Sequence, residues 1–151
     1  MLAVQQCSGM APKDEVHDNP TGWVAAHIRR YVESGGADHR FNGRDSLLLT
    51  TRGRRSGKLR RTALYFGRDG ESYVLVATGT PPPAWYLNLL ANPAVVLQVR
   101  AETFGAVARP AAAEDRARLW ELMVTVFPKY ARYEDEAGRP LPIVVLEMLP
   151  D

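Results

Sequence analysis

The chain has 151 residues, of which 46% are hydrophobic and 24% charged, and its formal net charge is +2, a composition typical of one soluble globular domain. Its single cysteine, Cys7, excludes an internal disulfide and a multi-cysteine metal site, and it is consistent with a reducing cytoplasm. No apolar run approaches the roughly 18 residues that a membrane-spanning helix requires.

Residues 1–18 are expected to form a flexible N-terminal leader, followed by a single domain over the rest of the chain. The leader is charged and lacks an apolar core, so it is not expected to be a signal peptide. Asn19 and Pro20 are typical of the N-cap and first position of a helix, and Gly35 and Gly36 are typical of a helix end. The residues that recur between them at helical spacing are Trp23, Val24, His27, Ile28, Tyr31 and Val32.

Beyond Arg44 the pattern changes to short apolar or β-branched runs separated by turn residues, which is typical of strands. The triplet Arg68-Asp69-Gly70 predicts a hairpin turn between two of these runs. Two further helices are predicted at residues 84–90 and 114–126. Six strands without a βαβ rhythm predict an α+β chain built on an antiparallel barrel or sheet. The predicted strands are residues 47–49, 62–66, 73–77, 95–99, 103–108 and 143–146.

The positive charge is concentrated in residues 52–61, the basic turn, where six of ten residues are basic and none is acidic. Without these six cations, 13 basic residues face 17 acidic ones, so the excess of positive charge is local. Gly53 and Gly57 let backbone N–H groups approach a ligand, and arginine binds phosphate or carboxylate through two hydrogen bonds. The segment therefore predicts a site for a polyanion. A solvated hairpin tip and a generic nucleic-acid contact are the alternatives, and the near-neutral remainder disfavours nucleic acid.

Two aromatic segments are further candidates for ligand contacts. The short predicted helix carries Trp85 and Tyr86, and it can either pack in the core or also form the floor of a ligand pocket. Phe127, Tyr130 and Tyr133 follow the longer predicted helix at a spacing of three residues. Aromatic residues at this spacing are most often core, but the charged residues among them favour a partly exposed lid over a planar ligand.

No metal site is expected, because His17, His27 and His39 have no acidic partner at ligand spacing. The chain also lacks a G-x-S-x-G elbow, a Walker loop and a G-x-G-x-x-G after a strand. The basic turn and the aromatic segments therefore remain the candidate site.

Three segments carry a family pattern in unbroken order. The first is Leu48-Leu49-Thr50-Thr51-x-Gly53-Arg54-x-Ser56-Gly57-x-x-Arg60, followed by Leu64-Tyr65 and Arg68-Asp69-Gly70. The second is Pro83-x-Trp85-Tyr86-Leu87-Asn88-Leu89-x-Ala91-Asn92-Pro93. The third is Val124-Thr125-x-Phe127-Pro128-x-Tyr130-x-x-Tyr133, followed by Pro142-Ile143-Val144-Val145. Together they resemble the deazaflavin-dependent nitroreductases of actinobacteria, a family of coenzyme F420-dependent reductases that includes menaquinone reductases.

The resemblance implies a split β-barrel of the flavin-reductase type, mainly antiparallel, with about six strands and packed helices. It also implies reduced coenzyme F420 as the cofactor, and the phosphate and glutamates of its tail would account for the basic turn. The cofactor-binding positions implied in this way are Arg54, Arg55, Ser56, Gly57, Arg60, Ala77, Thr78, Trp85 and Tyr86.

Tyr65, Tyr130 and Tyr133 match family tyrosines near the reactive end and are the expected catalytic residues, with Tyr130 first. A phenol can donate a hydrogen bond or a proton to the oxygen that becomes negative when hydride reaches a quinone. The implied function is hydride transfer from reduced F420 to an electron-poor acceptor, with a quinone favoured and nitroaromatics or enones as side substrates.

Two other functions remain open, an FMN-binding split-barrel oxidoreductase and a non-catalytic deazaflavin carrier. The expected partner is a small quinone-like molecule and not a nucleic acid, and the oligomeric state is left open. The expected location is the cytoplasm. Because quinones dissolve in lipid, the first helix could also contact the inner face of the membrane through Trp23, Ile28 and Tyr31 beside Arg29 and Arg30. Packing of this helix on the barrel is favoured.

Three positions depart from the family pattern. Arg55 stands where the nitroreductase branch has lysine, which keeps the charge, whereas Gly79 stands at another lysine position and loses a charge. Phe127 replaces a tyrosine and removes a hydroxyl from the expected lid. These departures bear on the acceptor rather than on the cofactor.

Overall fold

The computed structural model describes residues 15–149, which form a mixed α+β fold with one large, mostly antiparallel sheet. The strands are β1 (Val16–Asp18), β2 (Arg40–Phe41), β3 (Arg44–Arg52), β4 (Leu59–Tyr65), β5 (Gly67–Asp69), β6 (Ser72–Val76), β7 (Ala94–Val99), β8 (Glu102–Pro110) and β9 (Ile143–Met148). The helices are α1 (Gly22–Glu33), α2 (Ala84–Ala91), α3 (Arg116–Val126) and α4 (Lys129–Ala137), with a 3₁₀ turn at Ala113–Asp115. The strand order is β1-β4-β3-β7-β8-β9-β6-β5, and β2 pairs with β3 outside this path.

The prediction of about six strands is wrong, because the described residues contain nine. The six predicted runs lie in β3, β4, β6, β7, β8 and β9. The missed strands β1, β2 and β5 have only two or three residues, too few for an alternating pattern to be recognised. The predicted hairpin is present, but it joins β5 to β6, whereas β4 pairs with β3 and β1.

The start of the described chain also differs from the prediction. Residues 16–18, assigned to a flexible leader, form β1, which pairs in parallel with β4. The Asp18 carboxylate accepts hydrogen bonds from the Arg61 guanidinium at 2.6 and 3.1 Å, which fixes this edge. Asn19 is not the N-cap, because α1 begins at Gly22 and Thr21 occupies the N-cap position. The Asn19 side chain accepts a hydrogen bond from the N–H of Thr21 at 2.9 Å, just before the helix. The rest of the expected leader, residues 1–14, lies outside the described part of the chain.

Alternating side chains of the central strands separate two hydrophobic layers. On one face, a cluster of buried residues combines β3, β6, β7, β8 and β9 with Leu89 of α2. On the opposite face, α3 and α4 cover Val74 and Val76 of β6, and α1 covers Leu48 of β3. Helices α1, α3 and α4 are therefore held by the outward-facing residues of strands whose other face forms the inner core, to which α2 contributes Leu89.

Helix α1 packs on the sheet, as favoured from the sequence, because Ile28 and Tyr31 are fully buried. The Tyr31 hydroxyl lies 3.0 and 3.2 Å from the carbonyl oxygens of Ser46 and Gln98, and it accepts a hydrogen bond from the N–H of Arg100 at 2.7 Å. These contacts fix the C-terminal half of α1 to β3 and to the turn after β7. None of the helices in residues 15–149 is long and apolar enough to cross a membrane.

Candidate functional site

A cleft of about 480 Å³ lies between β1, the basic turn and the N-terminal end of α2, and we call it the basic cleft. It brings together five of the nine predicted cofactor-binding residues. These are Arg54, Arg55, Ser56, Arg60 and Trp85. Pro83 and Ala84, at the start of α2, line the same cleft. Because the N-terminal end of a helix favours negative charge, both the side chains and the backbone here suit an anion.

The basic turn is shaped by hydrogen bonds within itself. The N–H of Gly53 donates to the carbonyl of Lys58 at 2.7 Å, and the N–H of Gly57 donates to the carbonyl of Gly53 at 2.9 Å. Ser56 Oγ accepts from the N–H of Lys58 at 3.1 Å. Gly57 has φ +73°, a left-handed conformation that favours glycine. Gly57 does not line the basic cleft, so the structure gives it a role in the shape of the turn.

Asn88 of α2 joins the helix to the basic turn. Its side chain is almost fully buried, and its Oδ1 accepts from the backbone N–H of Arg54 at 3.2 Å and from its Nη1 at 3.0 Å. Its Nδ2 donates to Thr51 Oγ1 at 3.4 Å. Asn88 belongs to the family pattern, but it was not among the predicted site residues. The available signal was a polar side chain within an otherwise apolar helix.

The six cations of the basic turn are not equally available to a ligand. Arg61 is paired with Asp18, and Arg54 is held by Asn88. Within residues 15–149, Arg55 and Arg60 have no hydrogen bond or ion pair from their side chains, and both line the basic cleft. Their charges therefore remain available to a bound anion.

The predicted catalytic tyrosines lie on the helix-covered face of the sheet, and none of them lines the basic cleft. Tyr65 and Tyr130 line a smaller cavity of about 160 Å³, which we call the aromatic pocket. The other lining residues are Trp23, Val24, His27, Phe41, Ser46, Ala63 and Leu64. The pocket thus joins α1 and α4 across β3 and β4.

The three tyrosines surround Phe127. Its ring centroid lies 4.9 Å from that of Tyr65, 5.0 Å from that of Tyr130 and 6.1 Å from that of Tyr133. The guanidinium of Arg44 lies over the Phe127 ring, 5.0 Å from its centroid. Phe127 is therefore the centre of a packed aromatic cluster. Because phenylalanine has no hydroxyl, the centre of this cluster offers no polar group, unlike a tyrosine at the same position.

The prediction of a partly exposed lid is wrong for Tyr130, which is only 6% exposed. This side chain packs with Leu119 and Met123 of α3 and with residues of β9, a burial that spacing alone could not show. Burial raises the pKa of the Tyr130 phenol well above its ordinary value, and the neighbouring Tyr65 and Tyr133 add to the shift. The phenol therefore keeps its proton across the neutral pH range.

The remaining predicted residues are divided. Thr78 and Tyr133 line a third cavity of about 260 Å³, together with Gly79, Thr80, Glu136 and Ala137. Ala77 and Tyr86 line none of the three cavities, since Ala77 is buried and Tyr86 packs against the inner core. The predicted site residues that line a cavity are thus distributed over three cavities rather than one.

The loop at Gly79 explains one departure from the family pattern. Gly79 has φ +119°, where a lysine side chain would be strained. Arg139 Nη2 donates to the Gly79 carbonyl at 2.9 Å, which places a guanidinium beside this loop. A cation therefore lies beside the loop although residue 79 is glycine.

The family model for F420H(2)-dependent quinone reductase matches residues 23–148. This range includes the two smaller cavities and all of the basic cleft except His17, Asp18, Asn19 and Pro20. The chain belongs to this family. This quinone reductase family member is 40% identical over 120 residues to the F420H(2)-dependent quinone reductase Rv1261c of Mycobacterium tuberculosis (strain ATCC 25618 / H37Rv), covering 75% of this chain and 80% of that protein.

Two solved structures are similar to this family member. An F420-H2 dependent reductase, FDR-A, has a TM-score of 0.62 and 33% identity, covering 68% of this chain and 93% of that chain. A structure described as a domain-swapped dimer has a TM-score of 0.65 and 32% identity, and the match covers 85% of this chain and 100% of that chain.

Proposed function

We propose that the protein is an oxidoreductase that transfers a hydride from reduced coenzyme F420 to a quinone. The observation that carries the proposal is the basic cleft. There, Arg55 and Arg60 have no side-chain hydrogen bond or ion pair with any residue from 15 to 149, and the N-terminal end of α2 lies beside them. These groups fit a tail of phosphate and carboxylates, because guanidinium groups and helix N-terminal ends both favour anions. FMN carries one phosphate and no glutamate tail, so it would use little of this charge.

We further propose that the sheet forms a split barrel around its inner core. Inward residues of β3 and β6 belong to one buried cluster, although three strands separate β3 from β6 in the sheet. Such a cluster is expected when a sheet curls until its distant strands face each other. The similarity to an F420-H2 dependent reductase supports the same architecture.

The cofactor, when bound, supplies the two-electron hydride chemistry, and the chain supplies orientation and hydrogen bonds. Tyr130 would donate its phenolic hydrogen bond to the quinone oxygen on which negative charge develops, since burial keeps this phenol neutral. The Tyr65 hydroxyl already donates to the Phe41 carbonyl at 3.3 Å, so Tyr65 would act as an aromatic wall. Thr78 would contact the cofactor ring at the third cavity, which Tyr133 also lines.

A cytoplasmic location is part of the proposal. Of the three residues of α1 considered for membrane contact, only Trp23 is exposed, at 62%. Arg29 and Arg30 are exposed on the same helix, so a contact with the inner face of the membrane would use Trp23 and these two cations.

The proposal is tested by steady-state oxidation of reduced F420 in the presence of quinones, nitroaromatics and enones. We expect quinone-dependent turnover that exceeds turnover with the other acceptors. Reduced FMN is the control cofactor, and we expect it to be oxidised poorly. Binding of F420 without turnover on any acceptor would favour the carrier function, and preferential use of FMN would favour the flavin alternative.

A further inference from the structure

Strand β1 forms a wall of the basic cleft that the proposed chemistry does not use. Residues 17–20 line the cleft, and they precede the residues that the family model matches. The N–H of Asn19 donates to the Arg61 carbonyl at 2.8 Å, and its Nδ2 donates to Thr62 Oγ1 at 3.2 Å. These contacts fix the end of β1 against β4, so His17 is held at a defined place in the wall.

The register of the strands shows where the His17 side chain projects. Thr51 of β3 pairs directly with Arg60 of β4, which pairs directly with His17 of β1. Direct partners in adjacent strands project to the same face of a sheet. The Thr51 hydroxyl accepts a hydrogen bond from Asn88 of α2 at 3.4 Å, so this is the face on which α2 lies. His17 and Arg60 therefore project side by side towards the cleft between the sheet and α2.

His17 has no polar partner in the described part of the chain. Its side chain is half-buried, and it makes no hydrogen bond or ion pair with any residue from 15 to 149. An imidazole carries two ring nitrogens, and both are donors when the ring is protonated. These donors are available to a ligand in the cleft.

The charged groups that line the cleft with His17 come from β4, the basic turn and β1. They are Arg60, Arg61, Arg54, Arg55 and Asp18. The Asp18 carboxylate is paired with Arg61, and α2 carries no charged residue. Glu15 is exposed and does not line the cleft. Within residues 15–149, the unpaired charges of the cleft are therefore those of Arg55 and Arg60, and both are positive.

We propose that His17 is a further binding residue of the basic cleft, whose protonated imidazole donates a hydrogen bond to a phosphate or carboxylate oxygen of the cofactor tail. An anion bound against an imidazole favours the protonated ring, and the hydrogen bond is then charge-assisted. Histidine changes its charge between about pH 5 and pH 8, so binding takes up a proton from the solvent and tightens as the pH falls through this range. The inference rests on the proposed function for the identity of the anion.

The first test compares dissociation constants at about pH 5.5 and about pH 8 for two probes, F420 and an N-acetylated oligoglutamate that carries no ring. Arginine keeps its charge throughout this range, and glutamate side chains, which titrate near pH 4.3, stay ionised. We expect the wild-type protein to bind both probes roughly tenfold more tightly at the lower pH, the effect of displacing the titration of one group by about one pH unit. Equal affinity at the two pH values, or no binding of either probe, would overturn the inference.

Three variants separate His17 from other titrating groups. We expect His17→Gln to bind weakly at both pH values, and His17→Lys, which stays charged, to bind tightly at both. His39→Gln is the matched control, because His39 does not line the cleft, and it should keep the wild-type pH dependence. Titration of the ligand itself affects all variants equally. A pH dependence that persists unchanged in His17→Gln would contradict the assignment.

A direct readout of the wild-type protein does not depend on how the variants fold. The chain has three histidines, so the imidazole ¹H–¹³C resonances can be followed individually during a pH titration. With saturating oligoglutamate, we expect the midpoint for His17 to rise by about one pH unit and that for His39 to stay in place. An unmoved His17 midpoint would overturn the inference. Binding of oligoglutamate that depends on His17, without oxidation of reduced F420 by any quinone, would instead count against the proposed function alone.

Discussion

Tyr130 is the residue on which the proposed chemistry depends most. Its phenol is buried and neutral and lines the aromatic pocket. We expect Tyr130→Phe to lower turnover with the best quinone by about 10²-fold, the low end for a positioned acid, and to leave cofactor affinity nearly unchanged. Steady-state kinetics at saturating cofactor measures this effect. Tyr133→Phe is the control, and we expect it to lower turnover less. Wild-type turnover in Tyr130→Phe would show that Tyr130 has only a packing role.

Arg60 provides the corresponding test of the basic cleft. Its guanidinium lines the cleft and has no ionic partner among the described residues. We expect Arg60→Ala to weaken cofactor binding by about 1.5–3 kcal/mol, the range for a hydrogen bond to a charged group. Lys58→Ala is the matched control, since Lys58 lies in the same turn but does not line the cleft. Equal dissociation constants for the two variants would show that only the total charge matters.

His27 predicts a pH dependence of stability. Burial, followed by the charge of Arg30, lowers its pKa in the folded state below the ordinary value of 6.5, and Asp38 only partly opposes the shift. The unfolded chain therefore takes up a proton first, so this stabilising contribution is complete above about pH 6.5 and is lost as the pH falls towards the folded pKa. Urea unfolding at neutral and mildly acidic pH measures the loss. In His27→Gln this component should be absent, and an unchanged pH dependence would contradict the assignment.

At the scale of elements, the end of α1 depends on Gly36. A Cβ added there would lie 1.8 Å from the carbonyl oxygen of Arg100, and φ is +90°. We expect Gly36→Ala to lower the free energy of unfolding by about 2 kcal/mol or more, because strain and a backbone clash add. Gly35→Ala is the control, with φ +66° but no atom within 4 Å of the added Cβ, and it should cost about 1 kcal/mol. Thermal or urea unfolding of both variants measures the two losses of stability. Equal losses would mean that the turn after β7 moves away from the added Cβ of residue 36.

The sequence predicted the elements whose pattern is long enough to be recognised. The six longer strands and the helices α1, α2 and α3 were found from alternation, helical spacing and turn residues, whereas helix α4 was not predicted. The short strands β1, β2 and β5 were not predicted, because they form by pairing with a neighbouring strand and their own two or three residues show no strand pattern. The burial of Tyr130 was missed for the same reason, since it depends on α3 and β9.

At the scale of the whole molecule, predicted site residues that are close in sequence line the same cavity, whereas those far apart in sequence line different ones. Arg54, Arg55, Ser56 and Arg60 were brought to one cleft because a single hairpin turn carries them. The tyrosines come from β4 and α4, and their distribution over two cavities depends on how α4 packs, which no local pattern contains. Asn88 was missed as a candidate for the site because its hydrogen bonds are to residues distant in sequence.

The central claim is that the free charges of the basic cleft select a polyanionic cofactor. It is tested most directly by the dissociation constants of F420 with a long glutamate tail and of the same deazaflavin ring without a tail, at low and high salt. We predict tighter binding of the long-tailed form at low salt, and a smaller difference at high salt, because salt screens exposed charges. Equal affinity for the two forms at low salt would contradict the claim.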